Sequence, residues 1–487
     1  MSEIAIIGTG PSAISAYWAM ENLNLKSLAV YSGYELNEKE PQKYLEISKK
    51  LPSLTKQKSG FENFKTQTHH FQIPENIRVT SKLSNSIGGS YSFGGWSQVW
   101  GATIDRWGID YFKEKMNSDV DLTRFYEIIE NRLPLIQSER NNTNLLIRNF
   151  EKLVIQNDFF RFEESKLAIN PVGEFSKSNC VLCGLCLKGC PYGHIWNAST
   201  LWKEILTNPM VNNFNNFVTK VIKNNNKWKI ISITKEGLET ESIDYDKIFI
   251  AAGSISSSTI LVNSGIMEKV TLSDSPITFV PFRLKKLKKT GLNENRITLS
   301  EVFGYSNYKN NLTDEVFMQL YGYSTEFKER LYTKFKFLKL LPSKIVDVIF
   351  SRLGMAMIFQ DSKHGGKIGI EKNHTNTIVY VDKPRVTAGL ANLRDELKNL
   401  KQNGLIFYWK LNFVGSVGEG YHFGSAFNDT KGGEKFDFNK GSFIDQENLF
   451  IVDSTSLPSI ASRPITLTIM ANSYRITSQA LSKEKHN

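Results

Sequence analysis

The chain has 487 residues, 40% hydrophobic and 22% charged, which excludes collagen-like and largely disordered chains and supplies core for two or three domains. Sixty Lys and Arg against 49 Asp and Glu give a formal charge of +11, favouring an anionic ligand, an acidic partner or an anionic lipid surface. No nucleic acid partner is expected, because no zinc-finger, basic-zipper or aromatic RNA-binding pattern accompanies the charge. No apolar run reaches the ~20 residues of a membrane-spanning helix, and the start lacks the pattern of a secretory signal, so a cytoplasmic location is expected, with contact to the inner membrane face left open.

The apolar run Ile4 to Ile7 predicts a strand, Gly8 to Ala13 a glycine turn, and Ile14 to Met20 a helix. In such a unit Gly8 makes the tight turn, Gly10 admits a pyrophosphate, and Pro11, Ser12 and Ala13 open a helix whose N-terminus faces the phosphates. A second strand over Ser27 to Tyr31 should end at an acid for the adenosine ribose. Instead Ser32, Gly33 and Tyr34 follow, with Glu35 late, so either Ser32 or Glu35 is the expected contact.

A second glycine cluster runs from Gly88 to Ala102 and contains Gly94, Gly95, Trp100 and Gly101. Here the sequence resembles the glucose-methanol-choline (GMC) oxidoreductases, in which a Gly-Gly turn and a Trp-Gly or Asn-Gly pair pass the flavin. The resemblance continues at Lys247 to Ser254, with Ala251, Ala252 and Gly253 as a close turn against the dinucleotide, and at Leu261 to Ile266. It extends to Asn448 to Pro458, where Asp453 and the following turn approach the flavin phosphate and ribityl chain. Thr466 to Ala480 reads as the last helix, with Thr466 at its flavin-facing start. The resemblance implies FAD.

Cys180, Cys183, Cys186 and Cys190, followed by Pro191, have the C-x2-C-x2-C-x3-C-P spacing of bacterial ferredoxins. This predicts an iron-sulfur cluster, [4Fe-4S] if Cys190 closes the same site and [3Fe-4S] as the alternative. Zinc or unligated thiols are the other readings. The quartet looks like the cysteine-rich insertion of some bacterial GMC-like dehydrogenases, and it favours an external one-electron acceptor, a quinone or an electron-transfer protein.

From about 276 to 420 alternating patterns such as Lys367 to Glu371 and Thr377 to Val381 predict strands, and Gly389 to Leu400 a helix. Residues 326–352 carry Phe327, Leu331, Phe335 and Leu338 at helical spacing, with seven basic residues against three acidic ones and Pro342 as a break. This reads as an amphipathic helix that either packs on its own domain or lies on an anionic membrane.

GMC members place a catalytic His in a His-x-x-Gly sequence before the closing strand. The stretch here is Gly420-Tyr421-His422-Phe423-Gly424. Counting back from Gly424 selects Tyr421, and a one-residue deletion restores His422, which is taken as the base. Where the family has Asn-Pro, this chain has Arg463-Pro464. Arginine cannot act as a base but can hold an anionic substrate or an alkoxide.

The fold class expected is α/β: a GMC-type FAD-binding Rossmann domain with an inserted α+β substrate domain built on an antiparallel sheet. Residues 1–275 form the FAD-binding domain, with an iron-sulfur loop at 176–196. Residues 276–425 form the substrate domain, and 426–487 return to the FAD-binding domain. The function expected is FAD-dependent oxidation of a CH-OH group on a sugar or other alcohol, an anionic or lipid-linked one included, with electrons leaving through the cluster. The alternatives are reduction of a double bond, a non-oxidative sugar rearrangement, or a flavin and iron-sulfur electron-transfer subunit.

Overall fold

The computed structural model describes residues 3–21, 27–33, 77–79, 89–90, 92–116, 120–136, 160–169, 193–284, 298–306, 315–324, 335–351, 353–373, 376–385, 400–428 and 431–482. It also describes 23, 25, 186, 190, 327–328, 331–332, 394–395 and 397–398. Helical backbone at 394–395 and 397–398 falls within the helix expected at Gly389 to Leu400, whose other residues up to 399 lie outside the described set.

The strand Glu3–Ile7 is buried on both faces, as a central parallel strand requires. Ile4 and Ile6 join one core and Ala5 and Ile7 another, following the two-residue period of a strand. Five strands lie parallel in the order Leu449–Ile451, Lys247–Ile250, Glu3–Ile7, Ser27–Tyr31, Val211–Phe214. On one face, helix Pro11–Met20 packs against helix Thr466–Ala480. Small side chains let them approach closely: the Ser15 hydroxyl donates to the Met470 carbonyl at 2.6 Å, and the Ser473 hydroxyl to the Ser12 carbonyl at 2.7 Å. The start and the end of this fold are thus joined in one layer.

The other face is covered by helix Ser254–Asn263 and two antiparallel arrangements. One is the three-stranded sheet Glu239–Glu241, Lys227–Ile233, Phe217–Asn224. The other runs Phe423–Gly424, Lys269–Asp274, Lys367–Asn373, Asn376–Lys383, with Ile77–Val79 parallel at its edge. The largest sheet, which carries the expected substrate side, runs Leu405–Phe407, Ile277–Leu284, Gly354–Phe359, Val316–Tyr321, Val302–Ser306, Phe160–Glu164, and Phe413–Val414 also pairs with Ile277–Leu284.

This partition differs from the boundaries drawn at 275 and 425. Strand Phe160–Glu164, placed by sequence in the FAD-binding part, is an edge of the large antiparallel sheet, with Gly304 opposite Phe162. Conversely, Ile368, Ile370 and Val379 share a core with Ile248 and Ile250 of the parallel sheet. Such pairings join strands over a hundred residues apart, and local patterning cannot specify the partner.

The segment 326–352 is also not one helix. Residues 327–328 and 331–332 are helical, a 3₁₀ turn spans Lys336–Leu340, and after Pro342 a separate helix spans Ser343–Phe350. Proline at 342 cannot continue the preceding turn but suits a helix start. Phe327, Leu331 and Leu338, expected to form the amphipathic face, are buried in their own domain beside Tyr323 and Met355.

Candidate active site

Four backbone turns meet at the ends of the parallel strands. Gly8 has φ +107°, and a Cβ there would collide with the Ala251 carbonyl oxygen, so only glycine allows these two strand ends to pass. Gly94 and Gly95, both at positive φ, lie against the first turn: the Gly94 N–H donates to the Thr9 hydroxyl at 3.0 Å, and a Cβ on Gly95 would be 3.4 Å from the Gly10 Cα. By contrast, a Cβ on Gly10 or Gly253 would meet nothing within 4 Å among the described residues. The open space therefore lies in front of Gly10 and Gly253, at the N-terminus of Pro11–Met20. That helix has Pro11 in its first turn and no side-chain cap on its N–H groups. Ser12 and Ala13 are buried where the helix meets the strands. These features fit a pyrophosphate cradle.

Asp453 holds the third and fourth turns together. It is buried, accepts the Gly253 N–H at 2.9 Å and the Thr455 N–H at 2.9 Å, and bonds the hydroxyls of Ser257 and Thr455. Burial pushes its pKa up, and these hydrogen bonds pull it back. Its carboxylate thus binds the Ala251-Ala252-Gly253 turn to the turn after the closing strand. Ser32, at the end of Ser27–Tyr31, donates to Asn215 at 2.8 Å, whereas Glu35 and Tyr34 lie outside the described residues. Thr466 is the first residue of the last helix, which also begins without a side-chain cap.

The His422 loop is fastened to the same turns. The Ser254 hydroxyl donates to the Phe423 carbonyl at 2.9 Å, the Ser425 N–H to the Ser454 carbonyl at 2.9 Å, and the Ala426 N–H to the Thr455 carbonyl at 3.0 Å. Tyr421 and Ser425 both have left-handed φ, 53° and 54°, unusual for non-glycine residues and a form of backbone strain found at functional sites. The Tyr421 ring packs on Trp96 at 4.8 Å, joining this loop to the Gly94–Gly95 turn. The His422 ring stacks on Phe359 at 4.7 Å, and its Nδ1 is buried with no hydrogen-bond partner among the described residues. Burial pushes the imidazole down to about pKa 4, so it is neutral at neutral pH.

Arg463 is engaged by protein groups. Its Nε and Nη2 donate to the two carboxylate oxygens of Glu315 at 2.6 Å each, its Nη1 donates to the Arg106 carbonyl at 2.8 Å, and Asp105 lies 3.5 Å away. Its guanidinium also sits over the Tyr305 ring, whose hydroxyl donates to Glu163 at 2.8 Å and lies 3.1 Å from Asp105. The expectation of an arginine held open for a substrate anion is therefore corrected: the fork is matched to a buried protein carboxylate. Despite Arg463, burial raises Asp105 to about pKa 6.

Of the cysteines, Cys186 and Cys190 are half-buried against Ala102, Leu167, Ile169, Ile195, Leu299 and Trp100, and the Thr298 N–H donates to the Cys186 Sγ at 3.4 Å. Cys180 and Cys183 lie outside the described residues. Trp100 is fixed by its indole N–H on the Trp196 carbonyl at 2.8 Å and leads through Gly101 to Ala102, whose φ is +55°. The segment that carries the Gly94–Gly95 turn thus reaches the two cysteines.

Sequence reasoning missed Asp274. It pairs in register with Phe423, and the next residue, Ser275, donates its N–H to the His422 carbonyl at 2.8 Å. Its side chain is buried, Oδ1 has no partner among the described residues, and burial raises it to about pKa 8, opposed by the Gly418 N–H and Arg385. A polar residue near a strand end gives no local sign of such burial. The folded chain keeps this proton up to about pH 8, while the unfolded chain releases it near 4, so Asp274 lowers stability progressively as pH rises through that window. Asp274→Asn should remove that loss, making the variant's unfolding midpoint in urea less sensitive to pH between 5 and 8 than the parent's. Equal slopes would refute the assignment.

No family model matches the chain, and no curated protein matches it. Among solved structures it is similar over its full length to formate oxidase of Aspergillus oryzae RIB40, in two arginine variants made for their effect on FAD modification. The TM-scores are 0.66 and 0.64 at 12% identity, covering 100% of this chain and 99% of that one. It is also similar to pyridoxine 4-oxidase from Mesorbium loti, with a TM-score of 0.58 at 11% identity over 98% of this chain and 99% of that one. The parallel sheet with its glycine turns, the antiparallel sheet beside it and these full-length likenesses agree: the chain has the fold of the GMC oxidoreductases.

Proposed function

We propose that the protein is an FAD-dependent dehydrogenase that oxidises a CH-OH group of a small alcohol or sugar and passes the electrons to an external one-electron acceptor. The observation that carries this reading is the neutral His422, its Nδ1 buried and without a partner among the described residues, on a loop bonded to the turns that frame the open space before Gly10 and Gly253. A base at that place takes the hydroxyl proton while the carbon loses hydride. Bound FAD would supply the hydride acceptor, flavin N5, and the residues that would hold it are Gly8, Gly10, Gly94, Gly95, Gly253 and the helix starts at Pro11 and Thr466. The fold shared with formate oxidase and pyridoxine 4-oxidase supports the reading, and so does the connection of FAD with the first of them.

The ring contact of Tyr421 with Trp96 shapes the loop that carries His422. Arg463 acts as a positioning residue that ties Arg106 and Asp105 to Glu315. Cys180, Cys183, Cys186 and Cys190 would hold an iron-sulfur cluster, which would supply one-electron acceptance near Trp100. The Thr298 N–H on Cys186 fits a thiolate ligand, because hydrogen bonds to ligand sulfur tune such centres. Iron and sulfide should be present in protein purified without oxygen and be lost from Cys186→Ser. Stoichiometric zinc, or no metal, would overturn this part.

Anaerobic stopped flow tests the oxidation itself. An alcohol substrate should bleach the flavin, and His422→Ala should slow bleaching by about 10²–10⁴-fold without releasing flavin. The rate should fall as pH drops through about 4, where the imidazole becomes charged, rather than near 6.5. An unchanged rate in His422→Ala would remove the residue from the chemistry. The second reading is a flavin enzyme that reduces a double bond or rearranges a sugar without net oxidation, since Arg463-Pro464 stands where the family has Asn-Pro. That reading predicts a flavin that no alcohol bleaches.

A further inference from the structure

The two elements after Phe335 are turned inside out relative to an ordinary surface helix. In Lys336–Leu340 only Leu338 is buried, and in Ser343–Phe350 only Val346 is. Outward stand Leu340 at 85% exposure, Val348 at 70%, Phe337 at 61% and Ile349 at 55%, joined by Leu341 and Ile345. Ile345, Val348 and Ile349 fall at i, i+3 and i+4, so they share one helix face, and that face is apolar and solvent-facing. Exposed apolar groups gathered in this way mark an interaction surface.

Charge identifies the partner. Lys336, Lys339 and Lys344 are exposed around these side chains. Asp347, the one acid between 336 and 350, is neutralised from the domain side: Lys328 lies 3.1 Å away, and the Tyr323 hydroxyl donates to it at 3.1 Å. The tip is therefore apolar with a cationic rim. A second copy would bring lysines against lysines, which opposes pairing, whereas anionic headgroups neutralise the rim while the leucine, isoleucine and valine side chains enter the acyl boundary. We infer that the hairpin of Lys336–Leu340 and Ser343–Phe350 is a monotopic docking surface for an anionic lipid bilayer. This goes beyond the redox reading and stands independently of it. The apolar core behind the tip includes both Leu338 and Phe359, and Phe359 stacks on His422, so the tip and the candidate site are built on one packed core.

The test is co-sedimentation of the full chain with vesicles of phosphatidylcholine, with and without phosphatidylglycerol. Binding should require phosphatidylglycerol and weaken with salt. Leu340→Ser/Ile345→Ser/Val348→Ser/Ile349→Ser should lose at least about tenfold in partitioning, and Lys336→Glu/Lys339→Glu/Lys344→Glu about a hundredfold on the anionic vesicles. Both variants should keep the parent's circular dichroism and melting temperature, because Leu338 and Val346 stay in place. No binding to either vesicle, or undiminished binding by the serine variant, would overturn the inference. So would concentration-dependent dimerisation of the parent in sedimentation velocity that the serine variant abolishes, since the occupant would then be a second copy.

Discussion

Arg463→Ala should destabilise the protein by about 3–5 kcal/mol at pH 8, because it strips the counter-charge from two acids that the fold keeps from water. Glu315 is almost completely buried and relies on Arg463 for two hydrogen bonds, and Asp105 lies against the same guanidinium. Arg463 is what opposes the upward push of burial on Asp105, so without it Asp105 holds its proton to higher pH. The folded variant would then hold more protons than its unfolded chain near neutral pH, so its deficit should shrink as pH falls. The asymmetry can be read from urea midpoints at pH 5 and pH 8, and Arg463→Ala/Glu315→Gln should recover part of the loss. A deficit below about 1 kcal/mol at both pH values would mean that the network behaves like an exposed ion pair.

The second large effect concerns the two glycines of the first turn, which should fail in different ways. Gly10→Val should leave the apoprotein's melting temperature nearly unchanged, since a Cβ there meets nothing, and yet abolish flavin retention by filling the space before the helix start. Gly8→Ala should lose flavin and fold together, because its Cβ meets the Ala251 carbonyl and its φ of +107° is hostile to any side chain. Flavin absorbance of the purified proteins, with melting curves recorded after flavin removal, separates the two. Full flavin occupancy in Gly10→Val would show that the open space is not where the dinucleotide lies.

Much of the nucleotide-binding half was legible because its signals are local. The apolar run before Gly8 and the periodicity from Thr466 needed no distant partner, and the strands and helices Glu3–Ile7, Pro11–Met20, Ser27–Tyr31 and Thr466–Ala480 formed where the pattern put them. The pairing of Phe160–Glu164 with Val302–Ser306 was not legible, since strand patterning names a face and not a neighbour. For the same reason Arg463 looked available: Glu315, its partner, lies 148 positions away. Helical spacing likewise fails to tell inward from outward. Phe327 and Leu331 are core, whereas Ile345, Val348 and Ile349, at equally regular spacing, face solvent. At the candidate site, His422 was suggested by family resemblance, while the burial that lowers its pKa and the nearby Asp274 emerged only from the packing of strands.

The contact between helices Pro11–Met20 and Thr466–Ala480 bears on the timing of assembly. During synthesis the glycine turn precedes by more than four hundred residues the layer that backs it and the strand Leu449–Ile451 that completes the sheet beside Lys247–Ile250. At about 5–20 residues per second, the early turn waits tens of seconds without its supporting helix. The proposed dinucleotide cradle is thus finished late, and a chain cut short before residue 449 would have the glycine turn without the strand and helix that complete its surroundings.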